Sequence, residues 1–335
     1  MTDPAVQCST AEAPELRRVA ISSLVRWFDT SAATQGGGNQ VDWLRVAPFI
    51  ALHLACLGVF AVGVSATALW VAFASYALRM FAITAFYHRY FSHRAFRTSR
   101  AMQFVFATLG ASCVQRGPLW WASHHRHHHR HADTPQDAHS PRHLGFLRSH
   151  MGWFMTRGAF RTDETRVADL ARFPELRWLD RYDIAVPVLF AAGLYGLGAG
   201  LQHVHPQLQT SGPQLLVWGF FIATIVLFHV SVTINSLAHG WGSRRYATSD
   251  DSRNNPLLAM LTFGEGWHNN HHHYPGSARQ GVRWWEIDVS YCGLRALAAL
   301  GLVWDLKTMP VRLRQATYHH ATQADVPRRT LPTAR

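Results

Sequence analysis

The chain has 335 residues but a single lysine, Lys307, and only four cysteines. The cysteines are scattered and form no C-x-x-C pair, so the sequence predicts neither a disulfide framework nor a thiolate metal site. Residues 1–45 carry several arginines but no early apolar core. We therefore expect no secretory signal peptide and an N-terminus that stays in the cytoplasm.

Arginine supplies almost all of the positive charge, and the net charge is +12. Such a surplus could indicate nucleic acid, but no nucleic-acid motif accompanies it and the arginines flank apolar blocks. A lipid surface is the stronger interpretation, because basic residues are enriched beside membrane spans on the cytoplasmic side. We expect no nucleic-acid partner.

Long stretches without charge predict four membrane-spanning helices. A bilayer core needs about 20 apolar residues per helix, so the first apolar stretch is too long for one span and a tight turn at 63–65 must divide it. The predicted spans are residues 46–63, 66–87, 184–201 and 215–237.

The connections within the two helix pairs, 63–65 and 202–214, contain no lysine or arginine, whereas the flanking segments are rich in arginine. The positive-inside rule then places both connections outside and both termini in the cytoplasm. Segment 101–121 is apolar but contains Gln103, Gln115 and Arg116. We interpret it as an interfacial or re-entrant helix, since a span there would move the following histidines to the opposite face.

Three histidine clusters fall on the cytoplasmic side of this topology. They are the first cluster, His88 and His93 in HRYFSH; the second, His125, His128 and His129 in HRHHH; and the third, His268, His271 and His272 in HNNHH. The last two share an H-x-x-H-H core, so a single helix could present all three rings to one site. The first pair is five apart, and we expect it where a helix ends or loosens. Imidazole suits Zn, Cu, Fe and Ni, so the clusters predict one transition-metal centre.

A histidine run can also bind metals adventitiously, as in purification tags, and residues 124–131 contain six histidines. That explanation accounts for one cluster only. It predicts neither the distant third cluster, preceded by the GEG sequence at 264–266, nor the first cluster just beyond an apolar helix.

The order HRYFSH, HHRHHH, GEGWHNNHH, with two apolar helix pairs, resembles the integral-membrane fatty acyl desaturases, and more narrowly the acyl-CoA Δ9 (stearoyl-CoA type) group. The resemblance covers residues 46–307 and includes SHMGW after the second cluster and NSLAH at the end of the last span. It implies an all-α integral-membrane fold: four transmembrane helices in two hairpins, an interfacial helix, and a cytoplasmic helical cap carrying a histidine-ligated di-iron site.

The resemblance also implies a bacterial enzyme of the inner membrane, with the active site on the cytoplasmic side. Its parts would be a cytoplasmic N-terminal segment at 1–45, a membrane desaturase domain at 46–312 and a mobile tail at 313–335.

In that family the clusters ligate two iron ions. Carried over position by position, the implied ligands are His88, His93, His125, His128, His129, His239, His268, His271 and His272. The same pattern gives Asn235 a contact to one iron through water. The residues support His239 independently, because Asn235 and His239 stand four apart at the edge of the last span, where a polar pair needs a partner. The alternative is a histidine that only reaches the membrane surface.

Glu265 and Asp133 are candidates for hydrogen-bonding the outer nitrogens of the ligand imidazoles, since metal-bound histidines usually donate their second N–H to a carboxylate, carbonyl or water. Each could equally cap a helix or pair with an arginine. Arg79, within the second span, could be functional, could extend toward a lipid headgroup or could pack at a helix junction. His53 and His229 are isolated in apolar spans, and we interpret both as structural.

The resemblance places Tyr76 and Ala72 at the far end of an acyl tunnel, about three and four helical turns before His88. A phenol at the nearer position would shorten the tunnel by about one or two methylenes, each worth about 0.8 kcal/mol of burial. This predicts a preference for 16-carbon over 18-carbon saturated chains. Tyr76 could instead face lipid or another span, and then it would not affect the length of the acyl chain.

The implied reaction inserts a cis double bond, at Δ9, into a saturated acyl chain with O2 and two electrons. An unactivated methylene offers no acidic proton and no leaving group, so a metal oxidant has to remove its hydrogens. No fused cytochrome pattern accompanies the clusters, and we expect a separate electron donor, a ferredoxin or a flavin and iron–sulfur reductase. The acyl carrier, whether CoA, a phospholipid or acyl carrier protein, stays open.

Two other functions compete with desaturation. A membrane hydroxylase or alkane monooxygenase has similar histidine clusters, although GEGWHNNHH and NSLAH favour desaturation. A histidine-rich membrane metal carrier would also need imidazoles, but it should place them within its spans, near the midplane.

Overall fold

The computed structural model of the chain describes residues 25, 27–30 and 38–315. Within them, four helices are long and apolar enough to cross a membrane, which confirms the predicted spans with shifts of a few residues at their ends. Spans 1 to 4 are Trp43–Val62, Ala66–Ser92, Ala185–Val204 and Gly212–Ser236. Most of the predicted N-terminal segment 1–45 and of the predicted tail 313–335 lies outside the described residues.

Three of the spans change helix type along their length. Span 1 consists of the α-helix Trp43–Ala55, the 3₁₀ turn Cys56–Gly58 and the α-helix Val59–Val62; span 2 of the α-helix Ala66–Phe81 and the π-helix Ala82–Ser92; and span 4 of the α-helix Gly212–Leu215, the π-helix Leu216–Ile222 and the α-helix Ala223–Ser236. His88 lies in the π-helix of span 2, and His93 directly follows it.

The turns of the two hairpins lie at the same end of the spans. Ser65, which caps span 2, donates to Oε1 of Gln214 at 2.7 Å, and Nε2 of Gln214 donates to the carbonyl of Val62 at 3.0 Å. Gly63 makes the first turn possible because its φ is +64°, a conformation that costs glycine little. The histidine clusters lie at the opposite end, as the two-hairpin prediction requires.

Arg79 is fully buried in span 2. Its guanidinium donates to Oγ1 of Thr224 on span 4 at 2.6 Å and to the carbonyl of Ser75 at 3.1 Å. A cation within a membrane span is costly unless its N–H groups find acceptors, and here two spans provide them. Packing at a helix junction is therefore the role that the structure gives to Arg79.

Short elements between spans 2 and 3 and after span 4 form a cap over the histidine end. The first set comprises the α-helices Arg100–Ala111, Pro118–His131, Pro141–Leu147, Ala168–Ala171 and Pro174–Arg181, the π-helix Arg148–Gly152, and the 3₁₀ turns Trp153–Met155, Arg157–Phe160 and Glu164–Val167. The second set comprises the α-helices Pro256–Leu261, His268–His273, Val289–Ala299 and Val311–Gln315. The 3₁₀ turn Pro206–Leu208 lies in the connection between spans 3 and 4.

A two-stranded antiparallel sheet ties the start of the cap to its end. Strand β1, Arg97–Thr98, follows span 2, and strand β2, Val303–Trp304, lies near the end of the described chain. Arg97 pairs with Trp304 and Thr98 with Val303. The residues after the first histidine cluster are thereby fixed against the last part of the cap.

The predicted single interfacial helix at 101–121 is corrected to two helices, Arg100–Ala111 and Pro118–His131. The break follows from Gly117 and Pro118, because proline begins a helix readily but cannot continue one. Neither helix is long enough to span a bilayer, so the expectation that this segment does not cross is confirmed. The first packs against span 2, where Phe106 stacks on Phe86 with ring centroids 3.8 Å apart.

Candidate metal centre

The structure brings all nine implied histidine ligands together, in two adjacent groups. Within each group, one ring nitrogen from every member lies within 4.8 Å of the others. The five-histidine group consists of His88, His93, His125, His129 and His271. The four-histidine group consists of His128, His239, His268 and His272.

The three rings that one helix presents are divided between the two groups. His125 and His129 of the second cluster join the five-histidine group, whereas His128 joins the other. The reason is the helical repeat: residues at i and i+4 are offset by about 40° around the axis, but those at i+3 and i+4 by about 100°. The third cluster divides in the same way, with His271 separated from His268 and His272.

The first cluster lies where span 2 is π-helical, at Ala82–Ser92. A π-helix closes its hydrogen bonds between residues five apart, so residues at i and i+5 stand one above the other. The N–H of His93 donates to the carbonyl of His88 at 3.2 Å, and the two ring centroids lie 4.8 Å apart. The expectation that the helix loosens at this pair is confirmed.

Within the groups, ring nitrogens face one another at short range. The Nε2 atom of His271 lies 3.0 Å from that of His88 and 2.9 Å from that of His129. In the four-histidine group, the Nε2 atoms of His239 and His268 lie 3.0 Å apart. A cation with metal–nitrogen bonds of about 2.0–2.1 Å separates its ligand nitrogens by roughly 3 Å, so this spacing fits a shared metal ion.

Carboxylates hold the outer nitrogens of four of these rings. The Nδ1–O distances are 2.5 Å for His88 and Glu265, 2.7 Å for His239 and Asp133, 3.0 Å for His128 and Asp137, and 2.9 Å for His272 and Asp250. An imidazole that donates from Nδ1 is left with an unprotonated Nε2. Nε2 of His272 is buried without a hydrogen-bond partner, so its lone pair is available to a metal ion.

The structure places Glu265 and Asp133, the two carboxylates named from the sequence, beside His88 and His239. Asp137 and Asp250 carry the same contact but are not predicted. For Asp137 a signal exists, because it stands four residues after Asp133 in DTPQD, close behind the second cluster. Asp250 has no such signal, since it lies 22 residues before its partner His272.

Burial and charge hold these groups in their metal-binding forms at neutral pH. Burial lowers the pKa of His128 to about 3 and the pKa of His268 well below its usual range. Burial alone would raise the pKa of Glu265, but His88 and Arg89 outweigh it and hold that pKa at about 2. Metal ligands have to be neutral imidazoles, and these rings meet that requirement without losing a proton.

The GEG sequence at 264–266 positions Glu265. Gly264 has a φ of +120°, and a Cβ there would collide with Asp288, while a Cβ on Gly266 would collide with the backbone of Ala259. Arg89 donates to Oε1 of Glu265 at 2.9 Å. Both glycines are therefore needed for the close approach that brings this carboxylate to His88.

A cavity of about 950 Å³ leads from the histidine groups into the membrane part of the protein. At the metal end its wall includes Asn235, His88, His125, His128 and His268. Further in, the wall is mostly apolar and comes from all four spans, with Leu52, Ala55, Met80, Ile83, Val188, Ala192, Leu216 and Phe220 among its residues.

Tyr76 and Ala72, which the resemblance places at the far end of an acyl tunnel, are not among the residues of this wall. The Tyr76 hydroxyl donates to the carbonyl of Leu261 at 2.7 Å, and its ring meets Phe263 edge-on. The phenol packs against the cap rather than against the cavity, which is one of the alternatives left open by the sequence. The predicted preference for 16-carbon chains loses the contact that motivated it.

Several histidines that neighbour the clusters in the sequence do not belong to either histidine group. His124 lines the cavity. His127 lies 3.1 Å from the carbonyl of Gln136, and His273 stacks on Tyr246. Their positions separate them from the nine converging rings.

The four spans and the two histidine groups define a class: a helical membrane protein with a buried imidazole site of a kind that could hold two metal ions. The family model "Fatty acid desaturase" matches residues 65–299. The chain is 36% identical over 314 residues to the acyl-CoA C20 Delta5-desaturase of Anemone leveillei, covering 92% of this chain and 95% of that protein. It is 35% identical over 289 residues to the sn-2 palmitoyl-lipid 9-desaturase of Nostoc sp. (strain 36), covering 84% and 96%. A third relative is the sn-1 stearoyl-lipid 9-desaturase of Anabaena variabilis, 33% identical over 277 residues, covering 80% and 94%.

The chain belongs to the fatty acid desaturase family. It is accordingly a membrane protein and an oxidoreductase that acts on fatty acyl chains.

Proposed function

We propose that the protein is an O2-dependent desaturase that inserts a cis double bond at Δ9 of a saturated acyl chain. The observation that carries this proposal is one mostly apolar cavity whose end is formed by both histidine groups. An acyl chain in such a cavity loses contact with water along its length, at about 0.8 kcal/mol per methylene. The acyl chain is thereby held with a methylene beside the histidines.

Two iron ions are the cofactor in this proposal, one held by each histidine group, with Asn235 close to the four-histidine group. Imidazole suits iron, copper, nickel and zinc, but zinc has no redox chemistry, and removing hydrogen from a methylene is an oxidation. When bound, the irons supply the oxidising power that no side chain of this chain can supply. The carboxylates of Glu265, Asp133, Asp137 and Asp250 fix the orientation of the ligand rings, and the apolar wall excludes water.

Regiochemistry at Δ9 is supported by two of the relatives, whose names specify a 9-desaturase. The Anemone relative is named as a Delta5-desaturase, so the family admits more than one position. Which carbon reaches the histidines is set by how far the polar end of the substrate lies from them along the cavity.

Orientation in the membrane follows from the arginines. In this proposal the histidine end and both termini face the cytoplasm of a bacterial inner membrane, because the arginine-free hairpin turns lie at the opposite end. Residues 46–312 form the catalytic domain, and residues 1–45 and 313–335 flank it on the cytoplasmic side. A ferredoxin, or a flavin and iron–sulfur reductase, delivers electrons to the cap.

The decisive experiment is product analysis after expression in a host that cannot make unsaturated fatty acids. A Δ9 monoenoic acid, together with growth rescue, is the expected result. Hydroxylated fatty acids would identify a hydroxylase instead, and a double bond at another carbon would overturn the Δ9 assignment alone. Metal uptake without any acyl product would favour a metal carrier.

A further inference from the structure

Two stacked rings connect the metal centre to the outside of the cap. His273 directly follows the ligand His272, and its ring stacks on that of Tyr246 with centroids 4.0 Å apart and planes within 8°. Tyr246 is fully buried, and its hydroxyl donates to the carbonyl of Arg314 at 3.2 Å. Nε2 of His273 donates to the carbonyl of Leu313, 3.3 Å away. The stack therefore extends from a ligand of the four-histidine group to the last described helix.

A second contact reaches the five-histidine group from the same place. Arg245 precedes Tyr246 in the chain, and its Nη1 donates to Oδ1 of Asn270 at 3.1 Å. Asn270 directly precedes the ligand His271. Two adjacent residues thus contact the chain neighbours of one ligand from each group. None of the contacting residues lines the cavity, so they approach the ligands from a side that the proposed acyl chain does not occupy.

Arginines surround the outer end of the stack. Arg312 and Arg314 are exposed on the last described helix, whose carbonyls accept from both rings. The carboxylate of Glu286 binds the guanidinium of Arg245 and accepts the N–H of Arg283, which is also exposed, at 3.1 Å. We call Arg245, Arg283, Arg312 and Arg314 the arginine surface.

The charge around the arginine surface is positive when every carboxylate on the same segments is counted. These segments are residues 244–253, 279–288 and 311–315. Together they contain seven arginines and four aspartates or glutamates. Two of the four carboxylates, those of Asp251 and Asp288, are also bound by Arg142 and Arg89 from outside these segments. Residues 316–335 contain three more arginines and one aspartate. The excess of positive charge favours an acidic partner, which it attracts and orients during diffusion.

We infer that the arginine surface is the docking site of a small acidic electron-carrier protein of the ferredoxin type. This inference rests on the proposed function and gives the electron donor a defined place on the cap. The electrons of the donor then reach the metal ligands through the stack of Tyr246 on His273 and through the contact between Arg245 and Asn270. Because this route and the cavity approach the ligands from different sides, a docked donor does not compete with the acyl chain.

The electron count of the proposed reaction determines how often the donor has to bind. In each encounter one reduced donor is oxidised and one metal ion is reduced from the trivalent to the divalent state, with no bond or proton transferred. Two encounters supply the two electrons that the reaction consumes. The complex therefore has to form and separate quickly, as small electron-transfer interfaces that depend on charge do.

The first test measures docking without turnover. Wild type and variants in detergent are titrated with an oxidised plant-type 2Fe–2S ferredoxin of strongly negative net charge, and calorimetry gives Kd. The double variant Arg312→Gln/Arg314→Gln should raise Kd about tenfold, and the difference from wild type should shrink with added salt. The matched control is Arg100→Gln/Arg177→Gln, which removes the same charge from two exposed side chains before span 3.

Equal Kd values for the two double variants would overturn the docking site. Unchanged ferredoxin binding by Arg312→Gln/Arg314→Gln, accompanied by less co-purifying phosphatidylglycerol, would overturn it as well, because the arginine surface would then be a lipid contact. A normal thermal unfolding transition in each variant excludes misfolding as the cause of a loss.

The second test follows the electron. The iron-loaded protein is mixed with reduced ferredoxin in the absence of O2, and the returning absorbance of oxidised ferredoxin gives the rate of transfer. Tyr246→Leu removes the stack and should slow transfer severalfold at saturating ferredoxin without changing Kd, whereas Tyr246→Phe keeps the stack and should keep the rate. Arg312→Gln/Arg314→Gln should slow transfer only below saturation. Equal rates for Tyr246→Leu and Tyr246→Phe, at equal iron content, would overturn the route through the stack.

A chemical reductant separates this inference from the proposed function. Wild type that is reduced with dithionite and then given O2, distearoyl phosphatidylglycerol and stearoyl-CoA needs no ferredoxin for a single turnover. No double bond under these conditions would count against the proposed function itself. A double bond formed with dithionite, together with no measurable binding of ferredoxin, would overturn the docking site alone.

Discussion

The Nε2 atoms of His53 on span 1 and His229 on span 4 lie 3.1 Å apart. Nδ1 of His229 lies 3.1 Å from Nε2 of His150 in the cap, and Nδ1 of His53 lies 2.8 Å from the carbonyl of Phe49. A carbonyl only accepts, so Nδ1 of His53 carries a proton, His229 donates to His53, and His150 donates to His229. His53 and His229 are thus not isolated within their spans. They belong to a series of hydrogen bonds that joins span 1, span 4 and the cap.

These hydrogen bonds between histidines lead to a prediction about the stability of the protein. His229→Leu leaves ring nitrogens of both His53 and His150 without their partner, at a cost of about 1–3 kcal/mol. The double variant His53→Leu/His229→Leu should cost less than the sum of the two single variants, since replacing both partners by apolar groups can be nearly neutral. Thermal unfolding in detergent measures this, with His205→Ala, an exposed residue between spans 3 and 4, as control. Additive losses would show that the two rings do not interact.

Loss of one ligand from each histidine group should abolish the activity. His128→Ala and His271→Ala are expected to insert normally, to retain less iron and to produce no double bonds. Changes to residues behind metal ligands alone cost about 10–100-fold in affinity or activity, so a lost ligand should cost at least as much. Iron content by mass spectrometry and fatty acid analysis measure both effects.

His127→Ala is the matched control for these two variants, since His127 neighbours the ligands but faces Gln136. It should keep most of its iron and activity. Retained activity in both ligand variants would refute the metal assignment, and a loss of iron in His127→Ala equal to theirs would refute the division into ligands and neighbours.

Asp250 should matter although the sequence does not reveal it. Asp250→Asn keeps the size of the side chain but weakens its hold on Nδ1 of His272, so we expect about a 10–100-fold loss of iron affinity or activity. Asp251→Asn is the control, because the adjacent Asp251 side chain lies 3.4 Å from Arg142. Equal effects of the two substitutions would point to general disturbance of this loop.

The preference for acyl chains of a given length should depend on Ala192 and not on Tyr76. Tyr76→Phe removes a hydrogen bond to Leu261 outside the cavity and should leave the ratio of palmitoyl to stearoyl products unchanged. Ala192→Phe fills part of the cavity wall on span 3 and should shift the ratio towards the shorter chain, at about 0.8 kcal/mol for each methylene displaced. Competition between the two chains in one assay measures the ratio, and a shift caused by Tyr76→Phe would restore the tunnel role of that residue.

Acid should destabilise the metal-free protein. The pKa of His128 is lowered to about 3 in the folded state, whereas an unfolded chain protonates this ring near 6.5. The contribution of this ring is fully present above about pH 6.5 and is lost as pH falls, at about 1.4 kcal/mol per pH unit. The unfolding temperature should therefore drop between about pH 7 and about pH 5. The unfolding temperature of His128→Phe should drop less than that of His205→Ala. An unfolding temperature that does not change with pH would contradict a buried, neutral His128 ring.

The sequence predicts the spans and the histidine clusters well, because both are visible in residues close to one another along the chain. A span is a long stretch without charged residues, and a cluster is a set of histidines at a short spacing. It does not predict how the clusters divide, since that depends on how the helices of the second and third clusters are rotated relative to span 2. Asp250 is missed for the same reason, as its contact with His272 is made by a fold of the cap. Arg45, Arg116 and Asp183 line the same cavity although they come from three distant segments, and no local pattern connects them.

Ahead of His88, the π-helical end of span 2 makes the number of residues more important than their identity. Exchanging one side chain between 82 and 87 alters the packing around that side chain. Deleting one residue would let the segment return to an α-helix. The residues after the deletion would then be rotated by about 100° around the helix axis relative to those before it. Insertions and deletions within 82–87 should therefore be far less tolerated than substitutions there, even though the shortened helix would still be long enough to cross the bilayer.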